Sequence, residues 1–244
     1  MQIATREEVL RRYPKAALSH EESANALGID LVGKEWVKRL VVPRNHSHAK
    51  EPGWEISRRD VPTRVLKDGT RVVQPAYTLF DLARTLPLDQ AVASGDSALR
   101  KKLVIVSQLR DLSGKLRGRG APEARAVVAL LEPKSGSVLE SLLRVLLITS
   151  GIPKPVSQAL ILDGRDEIAR VDLCWRAQEL IVEADGYAFH SDRTAYRRDR
   201  ERMNHLERLG WRVLRFTWED VVGRPQHVVQ LVRHCLEAGI RTGV

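Results

Sequence analysis

Residues 167–190 read EIARVDLCWRAQELIVEADGYAFH, and this stretch decides the fold. Two apolar runs flank a short polar break at Ala177 and Gln178, the pattern of a β-hairpin whose second strand stops at Gly186. Strand side chains alternate between faces, so Arg170, Asp172 and Cys174 share one side and Val171, Leu173 and Trp175 the other. In the second strand Ile181, Glu183 and Asp185 lie on one side, with Leu180, Val182 and Ala184 opposite. Three carboxylates therefore stand in strands that are otherwise apolar. An unpaired buried charge is costly, so these acids need a cation. Arginines of the same chain could serve, and so could a divalent ion, which takes oxygen ligands. Two acids on adjacent strands, a third two residues on and His190 soon after favour the ion.

Before the hairpin, SVLESLLRVLLITSG (137–151) places Val138, Leu139, Leu142, Leu143, Leu146 and Leu147 on one helical stripe ended by Gly151. PVSQALILDG (155–164) then reads as a strand entering a turn. After the hairpin, SDRTAYRRDRERMNHLERLG (191–210) is a helix with Tyr196, Met203, Leu206 and Leu209 on one face. WRVLRFTWEDV (211–221) is a strand in which Trp211 and Trp218 are expected in the core. RPQHVVQLVRHCLEAG (224–239) is a closing helix carrying Val228, Leu231, Val232, Cys235 and Leu236 at helical spacing. The order is helix, three strands, helix, strand, helix.

With SVLESLLR, ARVDLCW, LIVEADGYAFH and RRDRERMNHLERLGWRVLRFTWEDV at these points, the stretch from Ser135 to Ala238 resembles the restriction-endonuclease-like PD-(D/E)XK superfamily, in particular its very-short-patch-repair (Vsr)-like branch. The resemblance implies an α/β nuclease core with catalytic residues Glu140, Asp172, Glu183, Asp185 and His190. It makes Asp172, Glu183 and Asp185 ligands of magnesium or manganese. Asp185 stands where the wider superfamily carries a lysine that activates water. A carboxylate cannot supply that positive charge, and His190 is the natural substitute as the base.

Each of these residues also has a plainer role open to it. Glu140 is the fourth residue of Ser137-Val138-Leu139-Glu140, a capping box. Asp185 precedes Gly186 and could shape the turn, and His190 could belong to the cap of the following helix.

Forty Lys and Arg against thirty-one Asp and Glu give a formal charge of +9, which favours a polyanion as partner, nucleic acid first. Eight arginines lie between Arg193 and Arg215 against three acids. Arg193, Arg197, Arg198, Arg200 and Arg215 are the expected phosphate contacts, since a guanidinium fork fits a phosphate. The alternative is pairing within the helix, Asp199 with Arg202 and Glu201 with Arg208. Duplex DNA is the expected substrate, and RNA fits the charge equally well. No run approaches the length of a membrane span, and MQIATREEVLRRYP lacks the apolar core of a secretory signal. Cys174 and Cys235 have no zinc-ligand spacing and read as reduced thiols of a cytoplasmic protein. Oligomeric state is not legible.

The first half, 1–132, reads as a mainly helical α+β domain with a small sheet, followed by the nuclease-like domain 133–244. Thr5–Glu8 and Ser19–Glu22 both have the capping-box form. WVKRLVVP is a strand stopped by Pro43, and Lys67-Asp68-Gly69-Thr70 is a hairpin turn. The loop RNHSHAKEPG holds His46 and His48, without further ligands near them in sequence. Helices are expected over 76–85, 88–100, 106–112 and 125–131, with LSGKLRGRGAPE (112–123) as the best linker candidate. ALSHEESANALGID and PAYTLFDLARTLPLDQAV resemble, more weakly, the region that precedes such nuclease-like domains in proteins akin to abortive-infection antitoxins. The expected activity is phosphodiester hydrolysis in DNA repair or defence. The rival is a DNA-binding regulator in which a nuclease fold persists without hydrolysis.

Overall fold

The computed structural model describes residues 3–46, 50–186 and 193–240. The chain divides into two compact units, Met1–Pro133 and Lys134–Val244.

In the first unit, α1 (Arg6–Arg12) carries the expected capping box: the Thr5 hydroxyl accepts from the Glu8 amide and the Glu8 carboxylate from the Thr5 amide at 2.7 Å. The strands β1 (Ala17–Leu18), β2 (Lys38–Val42), β3 (Trp54–Arg58), β4 (Thr63–Val65) and β5 (Arg71–Val73) form one sheet in the order β3-β2-β1-β5-β4. Gly69, at φ 86°, turns β4 back onto β5. Helix α2 (His20–Ala26) starts at Ser19 without the second capping box. The Glu22 carboxylate is drawn inward instead, where it accepts from Arg6 at 2.8 Å and from the Trp36 indole at 3.1 Å. Four more helices follow: α3 (Pro75–Thr85), α4 (Leu88–Arg100), α5 (Val106–Lys115) and α6 (Ala121–Leu130). The expected linker at 112–123 is no linker. It forms the end of α5, a turn with Gly118 and Gly120 at positive φ, and the start of α6. Ala124, Val127 and Val128 are buried, and α6 packs on α3, α4 and α5. The charges that suggested a linker decorate an exposed turn.

The second unit has the anticipated α/β order. Helix α7 (Val138–Thr149) is followed by β6 (Val156–Asp163), β7 (Asp166–Trp175) and β8 (Leu180–Asp185). Helix α8 (Arg193–Arg208), β9 (Arg212–Thr217), a π-helical turn (Glu219–Gly223) and α9 (Pro225–Ile240) complete it. The sheet order is β6-β7-β8-β9, antiparallel except for β8 with β9. The hairpin register pairs Leu173 with Val182, Cys174 with Ile181 and Trp175 with Leu180. The connection runs through a 3₁₀ turn and Glu179, whose φ of 50° reverses the chain. A parallel pair requires a crossover, and α8 provides it: Leu206 is fully buried in a cluster with Val171, Cys174 and Ile181, flanked by Met203, Leu209 and Trp211. Trp218 departs from expectation. It lies beyond the end of β9 at the start of the π-helical turn and is 38% exposed. No described helix is long and apolar enough to cross a membrane.

Candidate active site

Asp172 stands in the last turn of pleat of β7, where only part of its side chain reaches solvent. Its Oδ2 accepts from the Ala184 amide of β8 at 2.9 Å, and its Oδ1 accepts from Gln158 Nε2 at 3.0 Å. The same Gln158 nitrogen donates to Glu140 Oε2 at 2.9 Å. One amide thus joins carboxylates from β7 and α7. Gln158 lies opposite Asp172, between the pairs Ser157–Leu173 and Ala159–Val171, and adopts φ 50°. A left-handed backbone in a non-glycine residue is strained, so the amide is held in place at a cost. Glu140 combines capping and site geometry. Its backbone N–H donates to Ser137 Oγ at 3.0 Å, while its carboxylate accepts from Gly136 N–H at 2.8 Å rather than completing the box.

The electrostatics single out Asp172. Burial raises its pKa first, and the charges of Glu140 and Glu183 raise it further. The Ala184 amide and Gln158 pull it back, leaving a value of about 6. Three acids share a patch, Glu140 buried and Asp172 and Glu183 half-buried, with no cation bonded to Asp172 among the described residues.

Glu183 is different. It is 12% exposed, and two arginines hold it: Arg202 Nη1 donates to Oε1 at 2.9 Å and Arg215 Nε to Oε2 at 3.0 Å. Both guanidiniums also hold Asp199, Arg202 at 2.9 Å and Arg215 through two nitrogens at 3.0 and 3.2 Å. Arg215 foremost, with Arg202, keeps the Asp199 carboxyl below its usual range. Arg215 reaches Glu183 because the parallel register sets the two residues side by side. Asp185 is exposed at the end of β8, beside Thr217 in the same register. The expected trio Asp172, Glu183 and Asp185 is therefore not drawn together. Among the described residues no three His, Cys, Asp or Glu side chains converge closely enough to hold a metal ion. His190 and His48 lie outside the described residues, as does the Arg193 side chain.

A divalent ion still suits the donors at Asp172. Burial first, and the negative charge of Glu140 and Glu183 after it, raise the proton affinity of Asp172, and a hard cation with oxygen preference relieves that charge. Asp172 and Glu140 would hold such an ion, with Glu183 available at the expense of its arginines.

The expected phosphate-binding arginines separate. Arg197 pairs with Glu201 at 3.2 Å, and Arg215 sits inside the Glu183–Asp199 network. Arg198 and Arg200 are exposed on α8. The alternative pairing of Asp199 with Arg202 is present, but Glu201 takes Arg197 rather than Arg208, which turns to Asp163 and His205. Sequence reasoning passed over Gln158 and did not assign Arg202 to the site. The one signal for Gln158 was a polar side chain among the apolar residues of VSQALILD.

The restriction-endonuclease-like family model REase_MTES_1575 matches residues 165–236, which run from the start of β7 through most of α9. Two uncharacterised proteins of Mycobacterium tuberculosis, from strains CDC 1551 and H37Rv, are each 30% identical to this chain over 168 residues, 68% of its length. The match spans 62% of the length of those relatives.

Proposed function

We propose, starting from the match of residues 165–236 to a restriction-endonuclease-like family, that this protein is a metal-dependent endonuclease of DNA. The observation that carries the reading is the desolvated Asp172, tied to Glu140 through Gln158 and left without a cation bonded to it among the described residues. Asp172 and Glu140 would hold magnesium or manganese. Such an ion supplies charge stabilisation on phosphoryl oxygen and a more acidic water. Gln158 keeps the two acids aligned. Glu183, held by Arg202 and Arg215, ties the end of β8 to α8 and β9. The Vsr-like assignment gives His190 the part of base, and an antitoxin-like first unit fits a role in defence or repair. Two free cysteines suit a cytoplasmic protein.

The test is nicking of supercoiled plasmid. The expected result is conversion to open circle with magnesium or manganese and none with EDTA. Equal conversion in EDTA, or none with either ion, would remove the reading. Competition by duplex DNA, single strands and RNA orders the substrates.

A second reading has an observation of its own. Because Glu183 is already neutralised by two guanidiniums, the fold could serve as a non-catalytic DNA-binding regulator. That protein would bind duplex and leave it intact with either ion.

A further inference from the structure

We infer that Gln158 is a third ligand of the divalent ion, through its side-chain carbonyl oxygen, so that two carboxylates and one neutral amide hold the metal; the inference rests on the metal-dependent reading above and adds a residue to it. Among the described residues no three acids converge, and Glu183 is engaged by Arg202 and Arg215. Magnesium and manganese take about six oxygen ligands and accept carbonyl oxygen among them. A further donor is therefore needed, and Gln158 alone of the described residues is bonded to both acids. Its Nε2 donates to Glu140 Oε2 at 2.9 Å and to Asp172 Oδ1 at 3.0 Å.

The two ends of a carboxamide have nearly the same shape, and a half turn about the last side-chain bond exchanges nitrogen for oxygen. Beside two bare carboxylates the nitrogen end is favoured, because the oxygen would meet two anions. Beside a cation the oxygen end is favoured, because its lone pairs meet positive charge. The exchange gives up no other bond, since no described residue donates to Gln158 Oε1. Each acid also has a backbone donor of its own. Gly136 N–H donates to Glu140 Oε2 at 2.8 Å, and Ala184 N–H to Asp172 Oδ2 at 2.9 Å. Both carboxylates therefore keep their places when the amide turns. The backbone is committed to the same arrangement. Gln158 adopts φ 50° inside β6, between the pairs Ser157–Leu173 and Ala159–Val171. That conformation costs a non-glycine residue on the order of 1–3 kcal/mol, and it sets this one side chain against Asp172.

The experiment is electron–nuclear double resonance on manganese bound to the full chain. The chain is made by cell-free synthesis with glutamine carrying carbon-13 at its side-chain carbonyl. A coupling between manganese and the label is expected in the unsubstituted chain. Gln158→Leu should abolish it and weaken manganese binding in calorimetry about tenfold or more, since even groups that only support a metal ligand are worth about 10- to 100-fold. Gln158→Glu keeps an oxygen at this position but carries no label, so it should bind manganese at least as tightly as the unsubstituted chain and show no coupling. Manganese bound to the unsubstituted chain without coupling overturns the third ligand and leaves Asp172 and Glu140 as the site. So does a coupling that survives in Gln158→Leu, or a Gln158→Glu chain that binds as weakly as Gln158→Leu. An unsubstituted chain that binds no manganese removes the metal-dependent reading itself, and this ligand with it.

Discussion

Asp172→Asn is expected to lower metal-dependent nicking about a thousandfold or more and to make the chain more stable at pH 8. The two effects have one cause. The carboxyl titrates near 3.8 when exposed and near 6 in the fold. Between those values the native state holds more protons than the unfolded chain, so stability falls as pH rises through the window of about 4 to 6. Above pH 6 the charged carboxylate costs on the order of 2–3 kcal/mol, an upper bound because solvent reaches part of the group. An asparagine carries no charge and can still accept from either Ala184 or Gln158, though not from both. About 2 kcal/mol of added stability should therefore appear in urea melts at pH 8 and vanish at pH 4. Loss of a metal-binding carboxylate accounts for the activity, since even supporting groups behind metal ligands are worth 10- to 100-fold. A variant that is destabilised equally at both pH values would show Asp172 to be a structural acceptor and no more.

Arg202→Ala combined with Arg215→Ala is expected to cost about 2–4 kcal/mol, with each single change costing less than half of that. The double change leaves Glu183, 12% exposed, and Asp199 without their cations. Removing the partners of a buried charge is commonly worth 3–5 kcal/mol, and the 27% and 33% exposure of the two arginines lowers the figure here. Each guanidinium touches both acids, so one can stand in for the other, and the single effects should fall short of the double. Lysine should not substitute well, because Arg215 holds Asp199 through two nitrogens at once. Adding Glu183→Gln to the double variant should restore part of the loss by removing the orphaned charge. Urea melts of the series measure all of this. Additive single effects, or no recovery with Glu183→Gln, would mean that the network does not act as a unit.

Much of the second unit was legible in the sequence because its signals are periodic. The apolar stripe of 137–151, the alternation around Asp172 and Glu183, and the spacing of Leu206 and Val228 correspond to α7, to the β7–β8 hairpin and to helices that bury those positions. What periodicity cannot give is the partner across a strand. Alternation puts Glu183 on a face, but only the β8–β9 register brings Arg215 beside it. Gln158 escaped for the same reason, since its meaning comes from lying opposite Asp172. The arginine excess was plain, yet which arginine each acid takes depends on reach: Glu201 takes the nearer Arg197 at i,i+4. Composition misled at 112–123, where glycine and charge mark a turn between packed helices. It misled again at Trp218, which lies past the end of its strand.

Asp172 is the proposed seat of a divalent ion, and titration calorimetry with manganese measures that without substrate. The result expected at pH 7.5 is one ion bound per chain, weakened by Glu140→Gln and lost in Asp172→Asn. Below pH 6 the affinity should fall about tenfold per unit, as protons compete for the carboxylate. Undiminished binding by Asp172→Asn, or no binding by the unsubstituted chain, would contradict that placement.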